Sequence, residues 1–293
     1  MAKINSEYPK ANKQLTDDQL KKIATEQYQE QKSDQEASTN KFPTEIIDLP
    51  SKGLVYPPDN PLSSGQIEMK YMTAREEDIL TTQSYIKKGV VLDKLFRSLI
   101  IGNGKGQKVN YNDLIIGDKN AVMIAARVLG YGKDYTVKVT TPSGEEQEEL
   151  LDLTQFDHKE INEDVITPGI NNFEFNFPAS KRSITFKILT HKDSEAIDKE
   201  IKALAKIKDG YGSHQLTTRL IHCITSVDGD DSSGVIRKLV KEELLAIDSK
   251  ALRDYMTKIS PDVDLTIDLT DNETGEPFTA SLPITVEFFW PSV

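Results

Sequence analysis

Two stretches of this chain repeat each other at one spacing of 130 residues, the distance from Asp118 to Asp248. LIIGDKNAV at residues 114–122 aligns with LLAIDSKAL at 244–252, and DYTVKVT, which follows the first stretch, aligns with DLTIDLT, which follows the second. A repeat with so long a period indicates two modules of domain size rather than a solenoid of short units. The alternative is that any two helix-to-hairpin junctions share chance apolar matches.

The order of predicted elements repeats as well, so the sequence predicts an α+β fold of two tandem related units. Each unit has β-strands and a helical bundle, followed by a β-hairpin. KYMT at residues 70–73 precedes the first set of helices, as KILT at 187–190 precedes the second set. We expect a first unit over residues 42–155, a linker over 156–170 and a second unit over 171–293.

Hydrophobic periodicity and capping residues predict the bounds of the helices. The first unit is expected to hold helices at residues 74–87, 90–101 and 118–129. The second unit is expected to hold helices at residues 191–207, 214–227 and 235–258, followed by a last hairpin from Leu265 to Phe289.

Residues 1–41 are rich in Lys, Gln, Glu, Asp, Ser and Asn and poor in large apolar side chains. Such a segment buries too little surface to offset its ordering entropy, so we expect a mobile polar tail. Within it, Leu20, Ile23 and Tyr28 repeat at helical spacing after a capping box. We expect either a transient solvated helix or a helix that folds onto a partner, which makes these three side chains candidate partner-binding residues.

The charge and the cysteine count exclude several classes of function. The formal net charge is −11, so the chain lacks the cationic surface that nucleic acids and anionic membranes attract. Cys223 is the one cysteine, so an intrachain disulfide cannot form. No stretch approaches the roughly 20 apolar residues of a spanning helix, and the N-terminus shows no apolar leader. These features predict a cytoplasmic protein.

No motif in the sequence predicts catalysis, a cofactor or a metal. GNGKG at residues 102–106 lacks the spacing of a phosphate-binding loop and follows an apolar helix. The acidic stretch at residues 228–234 lacks the glycine and the closing carboxylate of a calcium loop. Cys223 lies in an apolar helix, and the histidines have no ligand spacing; they are His158, His191, His214 and His222.

The chain closes on three consecutive aromatic residues, Phe288, Phe289 and Trp290. In a strand, Phe288 and Trp290 face one way and Phe289 the other, so other residues must cover both faces of the strand. One interpretation is that these side chains close the core of the second unit. The alternative is an exposed anchor for a neighbouring subunit, with Phe289 and Trp290 as candidate partner-binding residues.

Three sequences together resemble the baseplate hub protein family of T4-like phages, which includes a hub subunit and the hub-assembly catalyst. They are LPSKG at residues 49–53, YMTAREEDIL at 71–80 and FFWPS at 288–292, and the resemblance covers residues 42–293. It implies a protein without catalytic residues. Relatives can carry Cys-x-x-Cys pairs in the two hairpin turns; this chain has none, so a zinc knuckle is not expected.

The resemblance implies a non-enzymatic baseplate hub assembly protein of a contractile-tailed phage, acting by protein–protein contact in the host cytoplasm. Its expected partners are other hub and tail proteins, with self-association as a further option, and neither nucleic acid nor membrane. The alternative is a permanent structural subunit of the baseplate hub in the virion. A cell-wall hydrolase would need a cleft lined by paired acids or a metal, and the sequence shows no motif for either.

Overall fold

The computed structural model describes residues 43–206, 214–283 and 286–289, with the side chains of Val286 and Glu287 excepted. From Thr44 onward the chain forms one compact unit. The predicted tail lies outside the described residues, and so do Leu20, Ile23 and Tyr28. The described residues combine helices with small antiparallel sheets, which confirms the α+β prediction.

The first half opens with a three-stranded antiparallel sheet of order β1-β2-β3. Its helical part lies between β2 and β3 and after β3, and a hairpin of β4 and β5 follows. The strands are β1 (Thr44–Asp48), β2 (Gln66–Lys70), β3 (Ile100–Gly102), β4 (Asp134–Thr140) and β5 (Glu146–Asp152). The helices are α1 (Ala74–Thr81), α2 (Gln83–Lys88), α3 (Val91–Leu99) and α4 (Ile116–Tyr131).

The second half has the same order of sheet, helices and hairpin. Its sheet has order β6-β7-β8, and β9 pairs with β10. The strands are β6 (Phe173–Asn176), β7 (Ser183–Phe186), β8 (Ile224–Val227), β9 (Thr266–Thr270) and β10 (Pro277–Ser281). The helices are α5 (His191–Leu204), α6 (Gln215–Cys223), α7 (Ser233–Lys238) and α8 (Ala246–Ile259), and a π-helical turn spans Leu239–Glu243.

Several predicted helices are shorter than expected or divided. The helix predicted at 90–101 ends at Leu99, because Ile100–Gly102 pair with β2 as β3. Thr82 has extended backbone, with φ −68° and ψ 103°, and divides the helix predicted at 74–87 into α1 and α2. The helix predicted at 214–227 ends at Cys223, because the next four residues pair with β7 as β8. The helix predicted at 235–258 is interrupted where Leu244 and Leu245 turn to extended backbone after the π turn.

Corresponding parts of the two halves share details beyond element order. The middle strand of each sheet carries a register shift, between Glu68 and Met69 in β2 and between Thr185 and Phe186 in β7. Each shift lies shortly before a helix N-terminus that is closed by a capping box. A common fold for the two halves stays a prediction, which these details support.

The two halves share one continuous hydrophobic core. The segment predicted as a linker joins them closely, because His158 pairs with Val263 as a β-bridge and Ile166 is buried. Lys159 N also donates to Asp262 O over 2.9 Å. These contacts pack residues 156–170 against the folded unit along part of their length.

The C-terminal aromatics occupy a different place from the predicted one. Phe288 and Phe289 lie in a 3₁₀ helix, Val286–Phe289, rather than in a strand, and both are fully buried. Their rings contact the first half: Phe289 packs on Phe96 at 5.7 Å between centroids and Phe288 on Tyr135 at 4.9 Å. Phe288 and Phe289 are therefore core residues, but they pack against the first half and do not close the second unit as expected; Trp290 lies outside the described residues.

Candidate interaction surface

The segment before α4 forms a junction between the two halves. Ile115 and Thr190 form an antiparallel β-bridge, in which His191 N donates to Leu114 O over 2.7 Å and Ile116 N donates to Leu189 O over 3.3 Å. Leu114 and Ile115 are fully buried there. The second half therefore covers this apolar edge of the first half through main-chain hydrogen bonds and apolar packing.

The junction also depends on a glycine. A Cβ atom on Gly117 would lie 1.8 Å from the carbonyl oxygen of Pro261, so only a residue without a side chain permits this approach. Asn120 Nδ2 then donates to Asp262 Oδ1 over 2.9 Å, one turn further along α4. Close backbone approach and this hydrogen bond fix the start of α4 against the second half.

The equivalent segment of the second half is exposed instead of covered. Residues 244–247 align with residues 114–117, yet Leu245 is 49% exposed and Ile247 is 62% exposed. Exposed apolar side chains are common singly, but here three consecutive residues are exposed: Leu245, the N-cap of α8, and Ala246 and Ile247, the first two residues of that helix. We call these three residues the 245–247 surface, and they are the best candidate for contact with another protein.

Charged residues lie next to the 245–247 surface, at its N-terminal end. Glu243 accepts hydrogen bonds from Arg182 Nη1 over 2.5 Å and from Lys238 Nζ over 2.8 Å. Arg182 also binds Asp228 at 2.8 Å. An apolar centre beside a charged rim is the arrangement typical of protein–protein interfaces.

A buried aspartate holds each of the two segments in place. Asp118 in α4 accepts from Ser51 N at 2.9 Å, from Ser51 Oγ at 2.7 Å and from the Tyr56 hydroxyl at 2.6 Å. Tyr56 Oη in turn accepts from Ile115 N over 3.0 Å. Burial raises the pKa of Asp118 to about 6, although these hydrogen bonds oppose the rise. The LPSKG sequence is thereby tied to α4.

In the second half, Asp248 has the same position at the start of α8. Its two carboxylate oxygens accept from Ala179 N at 2.8 Å and from Ser180 N at 3.0 Å. Burial raises the pKa of Asp248, but the hydrogen bonds to these two backbone amides outweigh it, so the pKa lies below its usual value. The 245–247 surface is therefore attached to a rigid support.

A groove of about 360 Å³ is a second apolar feature of the surface. It lies between β1, α4 and the chain after β5, and its apolar lining includes Ile47, Tyr71, Ile124, Val128 and Phe156. Among the residues that the structure describes, the other exposed large apolar side chains lie elsewhere; they are Ile46, Leu150, Ile170 and Leu216.

The structure settles one of the sequence-predicted partner-binding residues. Phe289 is buried, so the hypothesis that it is an exposed anchor is wrong: its ring packs on Phe96 and on Phe288 inside the core. Trp290 lies outside the described residues, as do Leu20, Ile23 and Tyr28, and for these four partner binding stays a prediction. Sequence reasoning missed Leu245 and Ile247, because it placed them inside a long helix.

Few described side chains have the environment of a reactive group. Burial raises the pKa of the Cys223 thiol to about 12, which leaves it protonated at neutral pH. His222 Nε2 pairs with Glu200 at 2.9 Å on the surface.

Among the described residues, Asp93, His191 and Glu195 are the group whose ligand atoms lie close enough to hold a metal ion. In the same part of the chain, no helix has the length and apolar character needed to cross a bilayer.

Comparison with known proteins assigns the family. The model of the T4 bacteriophage base plate protein family matches residues 44–290, which includes both halves. No curated protein and no solved structure matches the chain. The family match covers most of the chain and supports a baseplate-related structural or assembly role, with contacts to other baseplate proteins. The chain therefore belongs to the T4 bacteriophage base plate protein family.

Proposed function

We propose that this protein is a non-enzymatic assembly protein of the baseplate hub that binds other hub and tail proteins. The observation that carries the proposal is the contrast between residues 114–117, which are covered within the chain, and the aligned residues 245–247, which are exposed. The covered segment shows which kind of contact such an edge makes. The 245–247 surface offers an apolar edge at the aligned place to a partner in the baseplate, without the close backbone approach that Gly117 permits, because Ile247 stands at the aligned position.

The contact within the chain joins two unlike surfaces, which is the kind of contact that builds a symmetric ring. In the chain itself, the edge of the first half binds the β7–α5 connection of the second half at Thr190, a different surface from its own. Contacts between unlike surfaces are heterologous, and repeated heterologous contacts close into rings when the rotation between subunits permits. An uncovered edge of this type would suit a component of a symmetric assembly.

The buried carboxylates support a non-enzymatic protein. Glu76 accepts from Lys70 Nζ at 2.8 Å, from Ser98 Oγ at 2.7 Å and from Thr73. Asp118 and Asp248 are saturated by the donors described above. Each of these groups is occupied in holding local structure, which leaves none of them open to a substrate.

The experiment that tests the proposal is complementation of a phage defective in this gene. The double variant Leu245→Asp/Ile247→Asp places two charges on the 245–247 surface, and we expect the chain to fold while baseplates fail to form. Leu150→Asp is the matched control, because Leu150 is 69% exposed on a hairpin far along the chain from this surface. Normal baseplates with the double variant would contradict the proposal.

The alternative is a permanent structural subunit of the mature baseplate hub. The two roles predict different compositions of the finished particle. We expect quantitative mass spectrometry to find the protein in cytoplasmic assembly intermediates of infected cells and not in purified mature virions. A fixed stoichiometric amount in mature virions would favour the permanent subunit.

A further inference from the structure

A cavity between the two halves contains the three metal-ligating side chains noted above. Asp93 is the third residue of α3 in the first half, and His191 is the first residue of α5 in the second half. Glu195 lies four residues after His191, so both face the same side of α5. The three residues line this cavity, and their ligand atoms all lie within 4.8 Å of one another.

The His191 imidazole has a buried nitrogen without a partner. Nε2 lies 3.4 Å from Asp93 Oδ1, but the angles make no hydrogen bond, and the side chain is only 4% exposed. A buried polar atom without a partner costs about 1–3 kcal/mol. Burial and the nearby Lys119 lower the pKa of His191, against the opposite effect of Asp93 and Glu195. A neutral imidazole has one nitrogen with a lone pair that can bind a metal.

The distance between His191 and Asp93 suits a small tetrahedral ion. Bonds of about 2.0–2.2 Å at tetrahedral angles place two ligand atoms roughly 3.3 Å apart. Nε2 of His191 and Oδ1 of Asp93 are separated by 3.4 Å. Tyr111 steadies both ligands: its hydroxyl donates to Asp93 Oδ1 over 3.1 Å, and its ring lies 4.5 Å from the His191 ring.

We propose that Asp93, His191 and Glu195 form a binding site for Zn²⁺ that bridges the two halves of the protein. One imidazole nitrogen and two carboxylate oxygens are ligands that Zn²⁺ accepts, whereas Mg²⁺ and Ca²⁺ prefer oxygen ligands alone. A fourth ligand position remains for water. The ion would stabilise the fold, because it joins α3 to α5.

Lys119 opposes cation binding in this site. Its ammonium nitrogen lies 3.3 Å from His191 Nδ1 and 3.6 Å from Asp93 Oδ1. Zn²⁺ at Nε2 leaves the imidazole proton on Nδ1, which then faces the ammonium group, so Lys119 has to turn away. Lys119 therefore sets the affinity, and a neutral side chain at this position should strengthen binding.

The test is calorimetric titration of the untagged full-length chain, freed of metal, with ZnCl₂. We expect one ion per chain, a rise in melting temperature with Zn²⁺, and neither effect with MgCl₂. Glu195→Gln and His191→Ala should weaken binding about tenfold or more, and Lys119→Met should strengthen it several-fold. Glu195→Gln keeps the test valid if His191→Ala fails to fold, because Glu195 is partly exposed.

Two controls separate this site from surface binding. Asp198→Asn removes one charge from the same helix and cavity outside the three ligands, and His222→Ala removes the surface His222–Glu200 pair. Both variants should bind Zn²⁺ like the wild type. The proposal is overturned if wild type and Lys119→Met both fail to bind Zn²⁺, or if binding survives Glu195→Gln and is lost in His222→Ala.

Discussion

Arg127 Nε donates a hydrogen bond of 3.1 Å to the main-chain carbonyl of Phe288, which lies 161 positions further along the chain. The guanidinium group of Arg127 also lies over the rings of Tyr131 and Tyr135, at 5.0 and 5.6 Å. The last described turn of the second half is thus held inside the first half. Any change that loosens this turn should destabilise the whole fold rather than one module.

Phe288→Ala and Phe289→Ala should each lower the free energy of unfolding by roughly 3–5 kcal/mol, because each leaves a cavity in a fully buried site. Thermal unfolding followed by circular dichroism measures the effect in one cooperative transition. Leu150→Ala, at an exposed position, should melt like the wild type. Unchanged melting of both phenylalanine variants would contradict their placement in the core.

Glu76→Gln should destabilise the protein more than Asp193→Asn, although both remove the anion of a lysine–carboxylate pair at a helix start. Lys70 lies 2.8 Å from Glu76, and Lys187 lies 2.7 Å from Asp193, but the Glu76 side chain is fully buried and Asp193 is 17% exposed. We expect losses of about 2–4 and 1–2 kcal/mol in urea unfolding. Equal losses would show that burial does not set the difference.

Asp118 should make stability depend on pH between about 4 and 6. Its pKa is raised by burial from 3.8 to about 6 in the folded chain, so the folded state binds more protons than the unfolded state in this window. The contribution of Asp118 to stability is therefore present at the acidic end and falls as the pH rises.

Comparison with Asp118→Asn isolates this effect from other titrating groups. The unfolding free energy of the wild type minus that of the variant should decrease by up to about 3 kcal/mol between pH 4 and pH 7. Urea titrations at several pH values measure it. A difference that stays constant over this range would mean that the pKa of Asp118 is the same in the folded and the unfolded state.

Cys223 should resist thiol reagents in the native protein. Burial raises the pKa of its thiol to about 12 and blocks access, so the reactive thiolate is not formed at neutral pH. We expect no reaction with a chromogenic disulfide reagent in buffer and one thiol per chain in guanidinium chloride. Rapid labelling of the native chain would show that α6 opens readily.

Sequence patterns predicted the elements of this fold better than their relations to one another. Both hairpins and the helix starts at Thr73 and Thr190 follow from alternation and capping, which are local properties. The strand β8 was missed, because ITSV at residues 224–227 continues an apolar helical pattern and becomes a strand only by pairing with β7.

The 245–247 surface could not be predicted from the sequence for a similar reason. The aligned sequences at 114–117 and 244–247 are both apolar, and the local difference between Gly117 and Ile247 gains its meaning only from the approach of Pro261, which is remote in the chain. The cluster of Asp93 with His191 and Glu195 depends on contact between α3 and α5, which are far apart in the chain. The sequence also allowed Phe289 to be a surface anchor, because Phe96, which its ring contacts, lies far from it in the chain.

The most direct test of the proposed assembly function is site-specific photo-crosslinking in infected cells. A benzophenone amino acid at position 247 should form an adduct with another baseplate protein, identified by mass spectrometry, while the same probe at position 150 should form none. If particles assemble normally and position 247 gives no adduct with a baseplate protein, the 245–247 surface does not bind the baseplate.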